Sequence, residues 1–470
     1  MTLNPLCVDL DGTLSHSDST WDMIAKLFTS RPVTLLRIVL RAYSDRARLK
    51  HLLLAEAGLE AEQIPLRSDL VAWLKQEAEC REVWLVSGAP QKLVDAVASH
   101  VGCFTGAVGS TSNVNLTEER KRDLLVERFG HGRFDYVGNS VQDLVVWESA
   151  SRRLAYGVDR RLSADLARRN VEVRSWRPPF PWIRALRPAQ WSKNLLVLVP
   201  LLASHSLSNP EAWRGAVLAL VALCLGSSAV YVANDLHDIQ HDRAHARKRH
   251  RPLASGTLPV PVALILLLGC LTAWLALFVA SDAATARLLI LQMGLSVTYT
   301  IWLKAIPLVD VFALALLYGN RIAIGSSAEG IPVTAWLVAF AFFVFTALAS
   351  LKRYSELRLT TAAVVRDLPG RGYRSSDAGF VFALGFGSGL LAVLVLALYI
   401  TQPETRRLYP NPSALWGACL VIFHSLTRLW LLAWRGETIE DPLDFVFRDR
   451  ASWVALGVLL LTITFAAWSP

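Results

Sequence analysis

The chain lacks most of what marks a secreted or metal-stapled protein. Its six cysteines (Cys7, Cys80, Cys103, Cys224, Cys270 and Cys419) include no CxxC pair, so neither a zinc site nor a disulfide framework is indicated. The opening "MTLNPLCVDLDGTL" has no basic n-region and meets carboxylates after a few apolar residues. That excludes a signal peptide and predicts that the first domain stays in the cytoplasm. No repeat period stands out. Charge is scarce for a soluble protein: 19% of the 470 residues are charged and 53% are hydrophobic, with a mean hydropathy of +0.36. It is still too abundant for a chain wholly embedded in lipid.

What is present is unevenly distributed. Residues 1 to 190 alternate charged and apolar stretches, whereas the remainder is mostly apolar runs separated by short polar loops. The reading is a soluble domain over 1–172, an interfacial linker over 173–189 rich in Pro, Trp and Arg ("RSWRPPFPWIRALRP", with Trp176, Pro178, Pro179, Pro181, Trp182 and Arg184), and a membrane domain over 190–470. The net charge of +9 sits in loops beside apolar segments. It therefore points to a membrane surface, and no nucleic acid is expected.

Nine windows long enough to span a bilayer as helix recur, near 190–207, 213–233, 259–280, 286–303, 307–325, 332–351, 379–400, 413–434 and 451–468. Lys and Arg cluster before the first span, between the second and third, between the sixth and seventh (Lys352 to Arg374, with Arg366) and between the eighth and ninth. By the positive-inside tendency these loops face the cytoplasm.

Four stretches of the soluble half carry phosphate chemistry. "PLCVDLDGTL" is a short strand ending in Asp9 and Asp11, whose i, i+2 spacing projects both carboxylates to the same side of a strand end. One can attack phosphorus and the other move a proton, with Mg²⁺ neutralising substrate oxygens. "EVWLVSGAP" is a second strand ending at Ser87, "NLTEERKRDLLVERFG" places Lys121 near a helix start, and "FDYVGNSVQDLVVW" leads a third strand to Asn139 and Asp143. Taken singly, the last three are ordinary surface features. With the first they form a set.

At these four positions, over residues 4–145, the half resembles the haloacid-dehalogenase-like (HAD-like) phosphatase superfamily, with its DxDGT, Ser/Thr, Lys and GDxxxD motifs. The resemblance implies a Rossmann-like α/β fold with a helical cap between residues 15 and 80. It also implies Asp9 as nucleophile, Asp11 as general acid/base, Ser87 and Lys121 as phosphate ligands, and a Mg²⁺ held among Asp9, Asp11, Asn139 and Asp143. Asn139 stands where that superfamily has an acid. An amide oxygen ligates Mg²⁺ without adding charge, so weaker metal affinity is expected.

The membrane half is distinguished by "ANDLHDIQHDRAHARKRHRPLASG" at 233–256. If the second span continues as helix, Asn234, Asp235, Asp238 and Asp242 fall on one face. Crowded carboxylates at a membrane boundary need a cation, and a magnesium diphosphate suits them. Lys248 and Arg251 follow at a distance suited to the remaining phosphate oxygens. A merely positive-inside loop explains the basic residues but not the helical spacing of the acids.

This stretch, NDxxDxxxD, resembles the first aspartate motif of the UbiA superfamily of intramembrane prenyltransferases, an all-α polytopic fold with nine transmembrane helices. "LRPAQWSKNLLVLVPLL", "KRHRPLASG", "LKRYSEL" and "DFVFRDR" are similar to decaprenyl-phosphate phosphoribosyltransferases within it, over residues 184–468. That resemblance implies an integral inner-membrane enzyme with both sites facing the cytoplasm, phosphoribosyl diphosphate as donor and polyprenyl phosphate as acceptor. Asp235, Asp238 and Asp242 would hold Mg²⁺, and Asn234, Lys248 and Arg251 would bind the diphosphate or ribose. Arg187, Lys193 and Asn194 would lie near the acceptor phosphate, and Lys352, Arg353, Tyr354 and Glu356 around the 5-phosphate and ribose. Arg187, Lys193, Lys352 and Arg353 can alternatively be interfacial anchors. Asp444, Arg448 and Asp449 either close the pocket or form a salt-bridge cluster. Two competing readings are a prenyl diphosphate-using transferase, which the missing second DxxxD motif disfavours, and a non-catalytic HAD-like module, which Asn139 keeps open.

Overall fold

The computed structural model describes residues 3–467 apart from 43, 159, 176–178, 205, 363–370, 438 and 440. Trp176 and Pro178 of the expected linker, and Arg366 of the basic loops, lie outside the described residues. The chain divides into two compact units, Met1–Arg187 with Tyr231–Gly269, and Pro188–Val230 with Cys270–Pro470.

The first unit is built on a parallel sheet of β1 (Leu6–Val8), β2 (Val83–Pro90), β3 (Gly106–Ser110), β4 (Asp135–Gly138), β5 (Arg153–Ala155) and β6 (Glu172–Val173), in the order β3-β2-β1-β4-β5-β6. Strand alternation divides the core between two layers. Leu6 and Val8 of β1 join one cluster with Leu85 and Val137, while Cys7 joins the other with Val86, Tyr136 and Trp147. The chain winds outward from β1 to β3 and returns to β4 beside β1. Strand order therefore reverses between β1 and β4, where ligands of such sheets settle at the carboxyl ends.

Between β1 and β2 lie α1 (Ser19–Ser30), α2 (Pro32–Ala42), α3 (Arg46–Ala57) and α4 (Ser68–Glu77), in the region expected to form a helical cap. Their starts are chemically marked. The Asp18 carboxylate accepts from the Thr20 and Trp21 amides, and that of Asp45 from the Arg48 amide. Gly58, at φ +55°, ends α3 in the left-handed conformation that suits glycine.

Among the described residues, seven helices are long and apolar enough to cross a membrane: Pro210–His237, Val260–Ala280, Val309–Glu329, Ala335–Leu359, Ser375–Ile400, Pro412–Trp434 and Arg450–Ala467. The expected count of nine is not confirmed, and the difference lies at two places. Residues 190–207 do not form one long helix: a 3₁₀ stretch, Pro188–Leu198, gives way to the short helix Val199–Ala203. Pro200, inside the segment, denies a backbone donor that a continuous helix needs. The segment near 286–303 does form a helix, Ala283–Ile301, but Gln292, Ser296, Thr298 and Thr300 make it more polar than the seven.

Candidate functional site

Asp9 follows β1, and its amide donates to the Val137 carbonyl at 3.0 Å, which fixes it between β1 and β4. The tight turn Leu10–Leu14 then carries Asp11 around Gly12, whose φ is +77°. A side chain on Gly12 would also strike the Asn139 amide, so glycine is required here twice over. Asp11 accepts from the Ser19 amide at 2.8 Å, and Arg67, buried, clamps the same turn through the Thr13 carbonyl at 2.9 Å.

Lys121 is buried near the start of a helix, Glu118–Phe129, and donates to Asp9 Oδ1 at 2.8 Å and to the Tyr136 hydroxyl at 3.1 Å. Tyr136 in turn donates to Asp143 Oδ1 at 2.9 Å. Asp143 Oδ2 accepts from the Asn139 and Ser140 amides and the Ser140 hydroxyl. β2 does not end at Ser87 as expected but continues to Pro90; Ser87 is fully buried within it, and its Oγ accepts from the Ala89 amide at 3.1 Å. The structure therefore joins Asp9, Lys121 and Asp143 in one hydrogen-bonded chain through Tyr136.

Burial raises both aspartates, and Asp9 is pushed up to about 6 even with the Lys121 charge beside it drawing it down. Burial opposes the Lys121 charge, but Asp9 and Asp143 more than offset it and hold its pKa above the ordinary value. Asp11, part of whose surface remains open, is pushed up to about 7 by burial of its carboxyl, with the Asp18 and Asp9 carboxylates adding to the effect. A group poised there can give and take a proton near neutrality.

Lys50 of α3 was not anticipated from the sequence. Its Nζ donates to the Gly88 carbonyl, next to Ser87, at 2.7 Å. Nothing local marks it, because it arrives from the helices between β1 and β2. Tyr136, by contrast, could have been noticed as a hydroxyl within the strand that leads to Asn139 and Asp143.

The aspartate-rich stretch belongs to the same compact unit. Its helix runs through His237, breaks at Asp238 (φ −95°, ψ 9°) and resumes as Ile239–Ala244, so the expected unbroken helical face is interrupted. Asp235 and Asp242 are buried and converge on one nitrogen, Arg251 Nη1, at 3.2 and 2.6 Å. Arg187 also pairs with Asp235 and stacks 4.8 Å over the Tyr231 ring. Its φ of +53° is a conformation that non-glycine residues hold only where the surroundings enforce it. Lys248 lies 3.9 Å from Asp242. Asp238 accepts instead from Asn234 at 3.1 Å.

One residue ties this stretch to the DxD turn. Arg243 donates to Asp22 of α1 at 3.0 Å, to the Gln63 carbonyl at 2.8 Å and to the Ala254 carbonyl at 3.0 Å. The second oxygen of Asp22 accepts from Ser17 Oγ at 2.6 Å, and the Ser17 carbonyl accepts from the Gly12 amide at 3.1 Å.

In the second unit, Lys193 is buried and pairs with Asp441 and Gln190. Asn194 bridges Ser227 and Arg321. Arg353 is fully buried against the equally buried Asp310, with Nε 2.7 Å from Oδ2, and also pairs with Glu356. The Tyr373 hydroxyl donates to Asp310 at 2.6 Å. Tyr354 is not part of that network and packs among Phe382 and Trp430. Lys352 is half-buried. Asp310 and Arg321 were missed by the sequence reading, although an ionisable residue inside an apolar span is itself a signal.

Among the described residues no three His, Cys, Asp or Glu side chains gather into a ready metal site. Mg²⁺ asks for less, since it keeps waters and takes phosphate oxygens beside one or two carboxylates. The donors at hand fit that demand. Asp9, Asp11 and the Asn139 amide packed on Gly12 offer only oxygen ligands from the protein side. Asp235 and Asp242 present two convergent carboxylates.

The profile of the UbiA prenyltransferase family matches residues 197–435. An uncharacterized protein, y4nM, of Sinorhizobium fredii is 33% identical over 463 residues, 97% of this chain and 89% of the relative. The nodulation protein NoeC of Azorhizobium caulinodans is 33% identical over 308 residues, 62% of this chain and 96% of the relative. A decaprenyl-phosphate phosphoribosyltransferase of Corynebacterium glutamicum is 35% identical over 230 residues, 47% of this chain and 69% of the relative. With seven candidate membrane helices and an intact NDxxDxxxD stretch, the chain belongs to the UbiA prenyltransferase family.

Proposed function

We propose that the chain transfers 5-phosphoribosyl from phosphoribosyl diphosphate to a polyprenyl phosphate at the inner membrane, and that its HAD-like domain then removes the 5-phosphate, with both sites facing the cytoplasm. The observation that carries the reading is the convergence of Asp235 and Asp242 on Arg251, with Arg187 on the same carboxylate. Such an arrangement offers carboxylates to a metal and guanidinium groups to the diphosphate it accompanies. The similarity to decaprenyl-phosphate phosphoribosyltransferase supports the donor. So does the presence of Lys352 and Arg353, rather than two acids, where a second DxxxD motif would stand.

In the transfer, an oxygen of the acceptor phosphate forms a bond to the anomeric carbon of ribose as the bond to diphosphate breaks and the diphosphate leaves. Arg251, Arg187 and Lys248 bind its oxygens, and Asn234 orients it or the ribose. Lys193 and Asn194 serve the acceptor phosphate, Lys352 and Arg353 the 5-phosphate, and Glu356 the ribose, while Tyr354, packed among Phe382 and Trp430, is left out of the site. Asp235, Asp238 and Asp242 would hold one Mg²⁺ and Asp9, Asp11, Asn139 and Asp143 another, and these ions would supply positive charge to the departing diphosphate and to the phosphoryl group respectively.

In the second step the Asp9 carboxylate attacks phosphorus, Lys121 and Ser87 hold the phosphoryl oxygens, and Asp11 protonates the leaving ribose oxygen. Water then releases phosphate from Asp9 as Asp11 takes the proton back. Joining both activities in one chain raises the effective concentration of product at the phosphatase, to about the millimolar range for a short tether.

Membranes carrying the protein, given radiolabelled phosphoribosyl diphosphate and polyprenyl phosphate, are expected to form a labelled lipid. An Asp9→Asn variant should accumulate its 5-phosphorylated form. Label transfer only from a prenyl diphosphate donor would overturn the first assignment, and unchanged products from the variant would overturn the second.

A further inference from the structure

The helix α2 is apolar on two opposite faces. Leu35, Ile38 and Ala42 are buried in the unit, as the packing of α2 on α1 and α3 requires. At about 100° per residue, Val33, Leu36 and Leu40 fall on the other side, and they are 61%, 59% and 68% exposed. Phe28 of α1 adds a further exposed ring at 58%. Between the two faces stand Arg37 and Arg41, both exposed and without an ion pair among the described residues. No carboxylate occurs from Met23 to Ser44.

The neighbouring α1, on which α2 packs, meets the ends of two candidate membrane helices. Ala25 of α1 is buried in one cluster with Val232 and Leu236 of Pro210–His237 and with Val260 and Ala263 of Val260–Ala280. Ala185 belongs to that cluster too, from a short helix that exposes Phe180, Trp182 and Ile183 around it. A solvated helix has no reason to display Val33, Leu36 and Leu40 beside unpaired arginines at that level. An interfacial helix does, since its apolar side chains enter the acyl boundary while arginines reach the headgroups.

We propose that the exposed face of α2 is a membrane-contact surface that seats these helices on a bilayer bearing anionic headgroups. The contact holds the DxD site, whose Ser87–Gly88 segment α3 reaches through Lys50, over the bilayer surface. The site then draws its phosphomonoester from a lipid carrier rather than from solution. That consequence rests on the phosphatase reading given above; the contact itself does not.

The test uses the full chain in nanodiscs, in a Cys80→Ser background with one added cysteine carrying a bimane label. A label at Leu36→Cys should be quenched by doxyl-labelled lipid about tenfold more than one at Glu56→Cys, an exposed position on α3. Arg37→Glu with Arg41→Glu should abolish the gain in quenching when phosphatidylglycerol replaces phosphatidylcholine. Val33→Ser, Leu36→Gln and Leu40→Gln together should leave hydrolysis of p-nitrophenyl phosphate unchanged and slow hydrolysis of a lipid-linked phosphomonoester about tenfold. Equal quenching at both positions overturns the proposal, as does cross-linking of the Leu36→Cys label to a second copy without lipid quenching. Quenching at Leu36→Cys with neither phosphate ester hydrolysed upholds the contact and overturns the phosphatase reading instead.

Discussion

The two acidic motifs of the first unit are built from the same residue and balanced in opposite ways. At the DxD turn, Asp9 and Asp143 share the buried Lys121, the buried Arg67 is held by the Thr13 and Gly12 carbonyls, and Asp11, with no ion pair among the described residues, is pushed up to about 7. At the NDxxDxxxD stretch, Asp235 and Asp242 are met by Arg187, Arg251 and Lys248. The first region is short of positive charge and suits a bare divalent ion. The second already has its cations and suits an ion that brings its own anion, as a metal-bound diphosphate does. Aspartate count alone does not distinguish these cases; the number and reach of the facing basic groups does.

The largest disturbance should come from breaking the one residue that spans the comparison. Arg243 follows Asp242 in a helix of six residues, too short to fix its own orientation, and is held by Asp22 and two carbonyls. Arg243→Gln leaves Asp22, 1% exposed, buried without its counterion, at a cost of about 3–5 kcal/mol. Asp22→Asn does the reverse. The double variant carries no uncompensated charge and should lie closer to the parent than the sum of the singles. Apparent Tm values of the four proteins in detergent check this, and strict additivity would show that the pair is not coupled.

A smaller change sharpens the contrast. Asn139→Asp adds a carboxylate where charge is already short of cations, so without metal it should lower stability, while with Mg²⁺ present it should tighten the metal by about tenfold. Phosphatase activity titrated with Mg²⁺ reads the shift. An unchanged half-saturation would place position 139 outside the metal's reach.

Much of this was legible in the sequence where chemistry is local. Asp9, Asp11 and Gly12 lie within four residues, so spacing alone puts them on one turn; Asn234 to Asp242 lie within nine, but the break at Asp238 leaves only Asp235 and Asp242 converging. What was not legible depends on partners brought by the fold. Lys50 reaches Gly88 from 38 positions away, and Arg243 reaches Asp22 across 221. Hydropathy located the membrane helices but could not see the change from 3₁₀ to α at Pro200 within the segment at 190–207. Asp310 and Arg321 were averaged away in their apolar windows, although Asp310 has Arg353 as its buried partner and Arg321 holds Asn194.

The smallest expected effect lies outside both motifs and calibrates them, because Asp449 is an aspartate whose charge is over-supplied. Its carboxylate accepts from Arg428 at 2.7 and 3.0 Å and from the Ser452 amide and hydroxyl. The Arg428 hydrogen bonds, with those from Ser452, hold its pKa down to about 2, against an ordinary 3.8. A carboxylate depressed on folding contributes stability that is fully present above the unfolded value and lost as pH falls through the folded one. The contribution should therefore be intact at pH 5 and fade between about pH 4 and 2. Both side chains are partly exposed, which limits it to about 1 kcal/mol. Arg428→Gln should lower the apparent Tm slightly at pH 7 and make no difference near pH 2. A gap between variant and parent that stayed constant across this range would mean that Arg428 acts through packing rather than through the Asp449 charge.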